Sequence, residues 1–218
     1  MQHMKRIKKT SEGVKSIIYL IILVFFTISR GFSQEKSKTI LFFGDSITAG
    51  YGLDREESFP ALIEEKIDSL GYSYKVVNAG LSGETSAGGL RRIDWVAQQQ
   101  IDIFVLELGG NDGLRGIDPQ ATKQNLIGII DIVKKKYPNA EIVLTGMQAP
   151  PNMGITYTTE FKNIFFEIAE QKDVHFFPFI LEDVAGIEEL NQPDGIHPTA
   201  EGHRVIADNL WQFLKSLL

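Results

Sequence analysis

With 218 residues, 43% apolar and 23% charged, the chain has an ordinary globular composition and length enough for one α/β domain with a sizeable core. It has no cysteine, which excludes a disulfide framework and attachment to lipid through a thiol, so any domain must rest on its core. The net charge of −6 argues against nucleic acid or an anionic membrane as partner, and simple solubility is its plainer meaning.

Residues 1–33 read as a secretory signal peptide. Lys5, Arg6, Lys8, Lys9 and Lys15 precede an uncharged run from Ser16 to Ser29, and small residues at Gly31 and Ser33 suit cleavage before Gln34. The run is shorter than the roughly 20 residues a spanning helix needs. The expectation is export to the periplasm or medium without stable membrane association after cleavage, an uncleaved anchor being the alternative. The remaining part, 34–218, holds 16 basic and 27 acidic residues, a net charge of −11.

From there strands and helices alternate. Thr39–Phe43, an apolar run stopped by Gly44, predicts a buried strand; further strands are expected at Tyr74–Val77, Ile103–Leu108, Glu141–Gly146 and Val174–Phe177. Helical patterns cover Ser58–Leu70, Ser86–Gln100, Pro119–Tyr137 and Thr158–Lys172. A last helix runs from about Thr199 with Ile206, Leu210, Phe213, Leu214 and Leu217 on one face. Five strands alternating with helices imply a parallel sheet covered on both sides, with ligands at the carboxyl ends of its strands.

The chemically loaded loops all fall at that end. Ser46 lies just past the first strand, at the mouth of the cleft, where free backbone donors can stabilise an oxyanion; a serine after Gly-Asp is also a common helix cap, and Asp45 reads as a buried turn-former. Of four histidines, His3 is in the leader, His175 is inside an apolar strand and His203 lies on a helix among polar neighbours. His197 alone sits in a loop beside an acid and a proline. Asp194 can fold back onto one of its ring nitrogens and leave the other for a hydroxyl, although a capping Asp-Gly turn with an incidental histidine reads the same residues. Asn111, on a glycine turn after the third strand, can present its amide to a developing negative oxygen, and Gly83 has no side chain to block its N–H; turn chemistry is the alternative for both. No set of histidines or carboxylates stands at metal-ligand spacing, and no nucleotide-binding glycine pattern is present.

Four segments together resemble the SGNH (GDSL-type) hydrolases, most closely the bacterial exported thioesterase/lysophospholipase/arylesterase branch. They are Gly44-Asp45-Ser46-Ile47-Thr48-Ala49-Gly50-Tyr51-Gly52-Leu53, Val77 to Ser86, Glu107 to Gly116, and Asp194-Gly195-Ile196-His197-Pro198. The resemblance implies a flavodoxin-like three-layer α/β/α sandwich with Ser46 as nucleophile, His197 as base and Asp194 as its orienter. It implies an oxyanion hole from the Ser46 and Gly83 N–H groups and the Asn111 side chain, and no cofactor or metal. Met147, Pro150, Pro151 and Asn152 are similar to the segment lining the acyl pocket in that branch. The expected substrates are small-molecule carboxylic esters with aryl or short-to-medium acyl groups, lysophospholipids and thioesters. A carbohydrate acetylesterase of the same fold, or an exported lipid- or glycan-binding module without chemistry, are the competing readings.

Overall fold

The computed structural model describes residues 37–218; the expected leader lies outside the described residues. Its centre is β1 (Lys38–Gly44), in which every residue after Lys38 is buried. A strand sends successive side chains to opposite faces, so a strand covered on both sides must be apolar throughout. Phe42 accordingly meets Phe59 edge to face at 5.5 Å, while its neighbour Phe43 lies 5.8 Å from Phe104.

The other strands are β2 (Tyr74–Asn78), β3 (Ile103–Glu107), β4 (Glu141–Thr145) and β5 (His175–Phe177). They form one five-stranded sheet in the order β2-β1-β3-β4-β5, all pairs parallel. The helices are α1 (Ser46–Ala49), α2 (Phe59–Ser69), α3 (Ser86–Val96), α4 (Gly110–Leu114), α5 (Pro119–Lys136), α6 (Ile155–Lys172) and α7 (Ala200–Leu214). The chain steps from β1 to one side through α2, then reverses across β1 through α3. Right-handed crossovers therefore put α2 on one face and α3, α5 and α6 on the other. Helix α7 packs beside α2, and the result is the expected three-layer α/β/α sandwich.

That reversal occurs at β1, and a sheet binds its ligands where strand order reverses. The sequence places Ser46 there. Each expected strand agrees with the observed one to within a residue at either end. Helix α3 ends at Val96 instead of Gln100, and α6 starts at Ile155, three residues ahead of its expected start. Helices α1 and α4 were not expected, being too short to show a period.

Two close approaches hold the first loop. A Cβ on Gly44 would lie 2.0 Å from Thr48 Oγ1 and 2.6 Å from the Glu107 carbonyl, so β1 can pass this near to β3 and α1 only without a side chain. Gly109 caps α4 at φ 121°, the left-handed side that lets the chain leave β3 and turn at once into a helix. Among the described residues no helix is long and apolar enough to cross a membrane.

Candidate active site

Asp45 begins the site. It caps α1, its carboxylate accepting from the Ile47 N–H at 3.0 Å, and so fixes Ser46 as the first helical residue. The Ser46 side chain is nearly buried, and its Oγ lies 2.9 Å from His197 Nε2 across 151 positions of sequence.

The histidine is delivered by a pinned loop. Asn191 and Pro198 form a bridge, Gln192 N–H donates to the His197 carbonyl at 2.7 Å, and Gln192 Nε2 donates to the carbonyls of Tyr51 (2.7 Å) and Pro198 (2.9 Å). Gln192 thus ties the two catalytic-candidate loops together. The Tyr51 ring lies against the imidazole, centroids 4.5 Å apart and planes 39° apart.

Asp194 sets the tautomer. Its Oδ2 is 2.7 Å from His197 Nδ1, while Oδ1 accepts from the N–H groups of Ile196 (2.9 Å) and His197 (3.0 Å). These bonds, the His197 N–H first, hold its carboxyl down at about 2. A charged Asp194 makes Nδ1 the donor, which leaves Nε2 to accept the Ser46 hydroxyl proton. An imidazole so placed can act as general base toward that oxygen.

Three donors stand around Ser46. Its own N–H and that of Gly83 donate to no protein acceptor among the described residues. Gly83 has φ 79°, and open space where a side chain would be, so glycine is required there by its backbone conformation. Asn111 Nδ2 gives one hydrogen to Asp45 Oδ2 at 3.2 Å and has a second free. Together they can bind an oxygen that becomes negative during acyl transfer.

Beneath lies a pair of buried acids. Glu107 is fully buried; its Oε2 accepts from Thr48 Oγ1 (2.7 Å) and the Asp45 N–H (3.3 Å), while Oε1 is the one buried side-chain polar atom without a partner among the described residues. Burial raises its pKa well above the carboxylate range, and burial likewise pushes Asp45 up to about 6. Asp112 has a different task, accepting from Ser86 N–H (2.8 Å) and Thr122 Oγ1 (3.2 Å) to lock α3 and α5 beneath the loop.

Arg92 is a residue the sequence did not point out. Its Nη2 donates to the carbonyls of Gly44 (3.1 Å) and Ala79 (3.0 Å), its Nε pairs with Glu84, and the guanidinium lies 4.1 Å over the Phe43 ring. It fastens the loop carrying Gly83 to the loop carrying Ser46.

The site opens into a cavity of about 810 Å³ lined by Ser46, Gly83, Asn111 and His197 and walled by Leu114, Met147, Phe179, Leu181, Ala185 and Ile196. Pro150 and Pro151 also line it. Asn152 does not: it is exposed in the middle of the 3₁₀ turn Pro151–Met153, whose tight winding separates it from its neighbour's face. His175 pairs with Glu141 at 2.8 Å on the edge strand, away from the cavity. His203 is on the last helix, as its sequence position suggests, and is buried there with Nδ1 accepting from the Phe59 N–H at 3.1 Å. Among the described residues no group of three or more histidines or acids could hold a metal ion.

A doubly covered parallel sheet with a serine, histidine and aspartate in hydrogen-bonded series at its switch point defines a hydrolase of the serine-esterase type. Residues 42–205 match the GDSL-like Lipase/Acylhydrolase family, and the chain belongs to it. It is 41% identical over 186 residues to Esterase TesA of Pseudomonas aeruginosa, covering 85% of this chain and 92% of that one. It is 39% identical over 194 residues to Thioesterase 1/protease 1/lysophospholipase L1 of Escherichia coli, covering 88% and 91%. The crystal structure of the psychrotrophic esterase EstA from Pseudoalteromonas sp., inhibited by monoethylphosphonate, superposes with a TM-score of 0.78 at 35% identity, covering 82% of this chain and 97% of that one.

Proposed function

We propose that this SGNH esterase hydrolyses carboxylic esters through an acyl-enzyme on Ser46, with His197 as base and Asp194 as its orienter. As Ser46 Oγ bonds to the ester carbon, its proton passes to His197 Nε2, and the carbonyl oxygen becomes negative against Asn111 and the Ser46 and Gly83 N–H groups. The carbon–oxygen bond to the alcohol then breaks, and His197 returns the proton to the departing oxygen. Water repeats the sequence on the acyl-enzyme and releases the acid. The observation that carries this reading is the 2.9 Å approach of Ser46 Oγ to His197 Nε2, with Asp194 at 2.7 Å on the other nitrogen.

The cavity has the size of a small-molecule site, and its apolar wall suits aryl or short-to-medium acyl chains better than a bare acetyl group on a sugar. Lysophospholipids and acyl thioesters belong to the same range, which the Escherichia coli relative's name also spans. The leader, residues 1–33, supports export and removal before Gln34.

A fluorophosphonate probe tests the chemistry. The protein is expected to label stoichiometrically, Ser46→Ala not to label, and the variant's turnover of p-nitrophenyl butyrate to fall by about 10⁶. Labelling that persists in Ser46→Ala moves the nucleophile elsewhere. A non-catalytic binding module would not label at all.

A further inference from the structure

An asparagine amide has a donor end and an acceptor end of nearly the same shape, so an oxyanion site built on one needs neighbours that decide which end faces the cavity. Asp45 supplies half of that decision, since its Oδ2 accepts from Asn111 Nδ2 at 3.2 Å. The other half is a cation at the cavity rim. Arg115 Nη2 donates to Asn111 Oδ1 at 3.4 Å and to the Gly83 carbonyl at 3.2 Å, one nitrogen spanning the two loops that carry the oxyanion donors. Arg115 is exposed and has no carboxylate partner among the described residues. Its guanidinium therefore contacts these two acceptors with no carboxylate competing for it.

We propose that Arg115 is a positioning residue of the oxyanion site, holding the Asn111 amide with its N–H end toward the cavity and keeping Gly83 beside it. The proposal rests on Asn111 being an oxyanion donor, as put forward above. With Arg115 in place, a flipped amide would turn its N–H end toward the guanidinium and its oxygen toward Asp45, so both contacts oppose the flip. Without Arg115 only the Asp45 contact remains, and the Gly83 carbonyl loses its tie. A lysine, with one compact ammonium on a flexible stem, would restore the charge and only part of the geometry.

The test uses Arg115→Met and Arg115→Lys, each made alone and on Asn111→Ala, with kcat and KM for p-nitrophenyl butyrate and the thermal midpoint measured for all. Arg115→Met is expected to lower kcat about tenfold with KM changed by less than about twofold and the midpoint unmoved, and Arg115→Lys to recover part of the loss. On Asn111→Ala the same substitution should cost clearly less than it does alone, the remainder being what the Gly83 tie contributes, because groups acting as one unit are not additive. A wild-type kcat in Arg115→Met, beside a hundredfold loss in Asn111→Ala, rejects the role of Arg115 alone. An equal loss in both backgrounds, or a lowered midpoint with raised KM, also rejects it. Full activity in Asn111→Ala removes Asn111 from the oxyanion site and the role of Arg115 with it.

Discussion

Asp45 and Asp194 flank the same serine, and their surroundings drive them in opposite directions. Asp194 is exposed, accepts three hydrogen bonds from the His197 and Ile196 backbone and the His197 ring, and is held at about 2. Asp45 is 1% exposed, sits above the buried Glu107, and rises to about 6. In the proposed mechanism one carboxylate keeps its charge in order to hold an imidazolium that forms during the reaction; the other gives up solvation in order to cap a helix and hold an amide. Residue type alone does not divide these tasks, and burial with partner count does.

Substitution by asparagine should separate the two most widely. Asp194→Asn can impose the wrong tautomer on His197, and kcat is expected to fall by about 10⁴ with the fold intact. Asp45→Asn keeps an oxygen for the Ile47 N–H and should cost roughly tenfold or less, through the disturbed Asn111 contact. The comparison breaks if Asp45→Asn is as slow as Asp194→Asn. Stability gives a second reading of the same pair. A buried acid with a raised folded pKa binds its proton more tightly folded than unfolded, so its favourable contribution is present at low pH and lost as pH rises through about 6. Relative to wild type, Asp45→Asn should gain stability as pH climbs from about 4 through about 6, as read from denaturant midpoints.

Asn111 lies between the two in expected effect. Asn111→Ala removes one of the three proposed oxyanion donors and should lower kcat by about 10² to 10³. It should also leave fluorophosphonate labelling of Ser46 detectable, since the proposed nucleophile and base are untouched. A variant with wild-type kcat would place the negative oxygen on the backbone donors alone.

What could be read in the sequence follows from the range of the forces involved. The five strands were legible because a buried parallel strand is a local apolar run, and Gly44, Asn78 and Gly146 mark where such runs stop. The loops bearing Ser46, Asn111 and His197 were legible because they follow those strands. Helices α1 and α4 were not, since a helix of four or five residues shows no period and is set by Asp45 and Gly109 at its start. Arg92 and Gln192 act through contacts between distant segments that no local pattern announces, and Tyr51 and Arg115, although they stand inside the resembling segments, make contacts that the segments alone do not reveal. Phe179 and Leu181 reach the cavity from a segment with no regular structure of its own.

His203 shows how a local reading fails where a periodic one succeeds. Glu201 and Arg204 make its neighbourhood look polar, yet 203, 206, 210 and 214 step along one helical face, and all four are buried. Burial, with the nearby His197 charge second, lowers its pKa to about 4, so the folded protein keeps it neutral as acceptor for the Phe59 N–H. Between about 6.5 and about 4 the unfolded chain binds a proton here that the folded chain refuses, and stability falls as pH drops through that window by up to about 3 kcal/mol. His203→Asn offers an oxygen near the position of Nδ1 and cannot titrate. It should be less stable than wild type at pH 7, having lost the ring stacked 6.1 Å from Phe59. The gap should close as pH falls toward 4, because every other acid and base titrates in both proteins and cancels in the difference. Denaturant midpoints at pH 7, 5.5 and 4.5 measure it, and two parallel curves would mean that His203 is protonated in the fold and finds a partner for its charge.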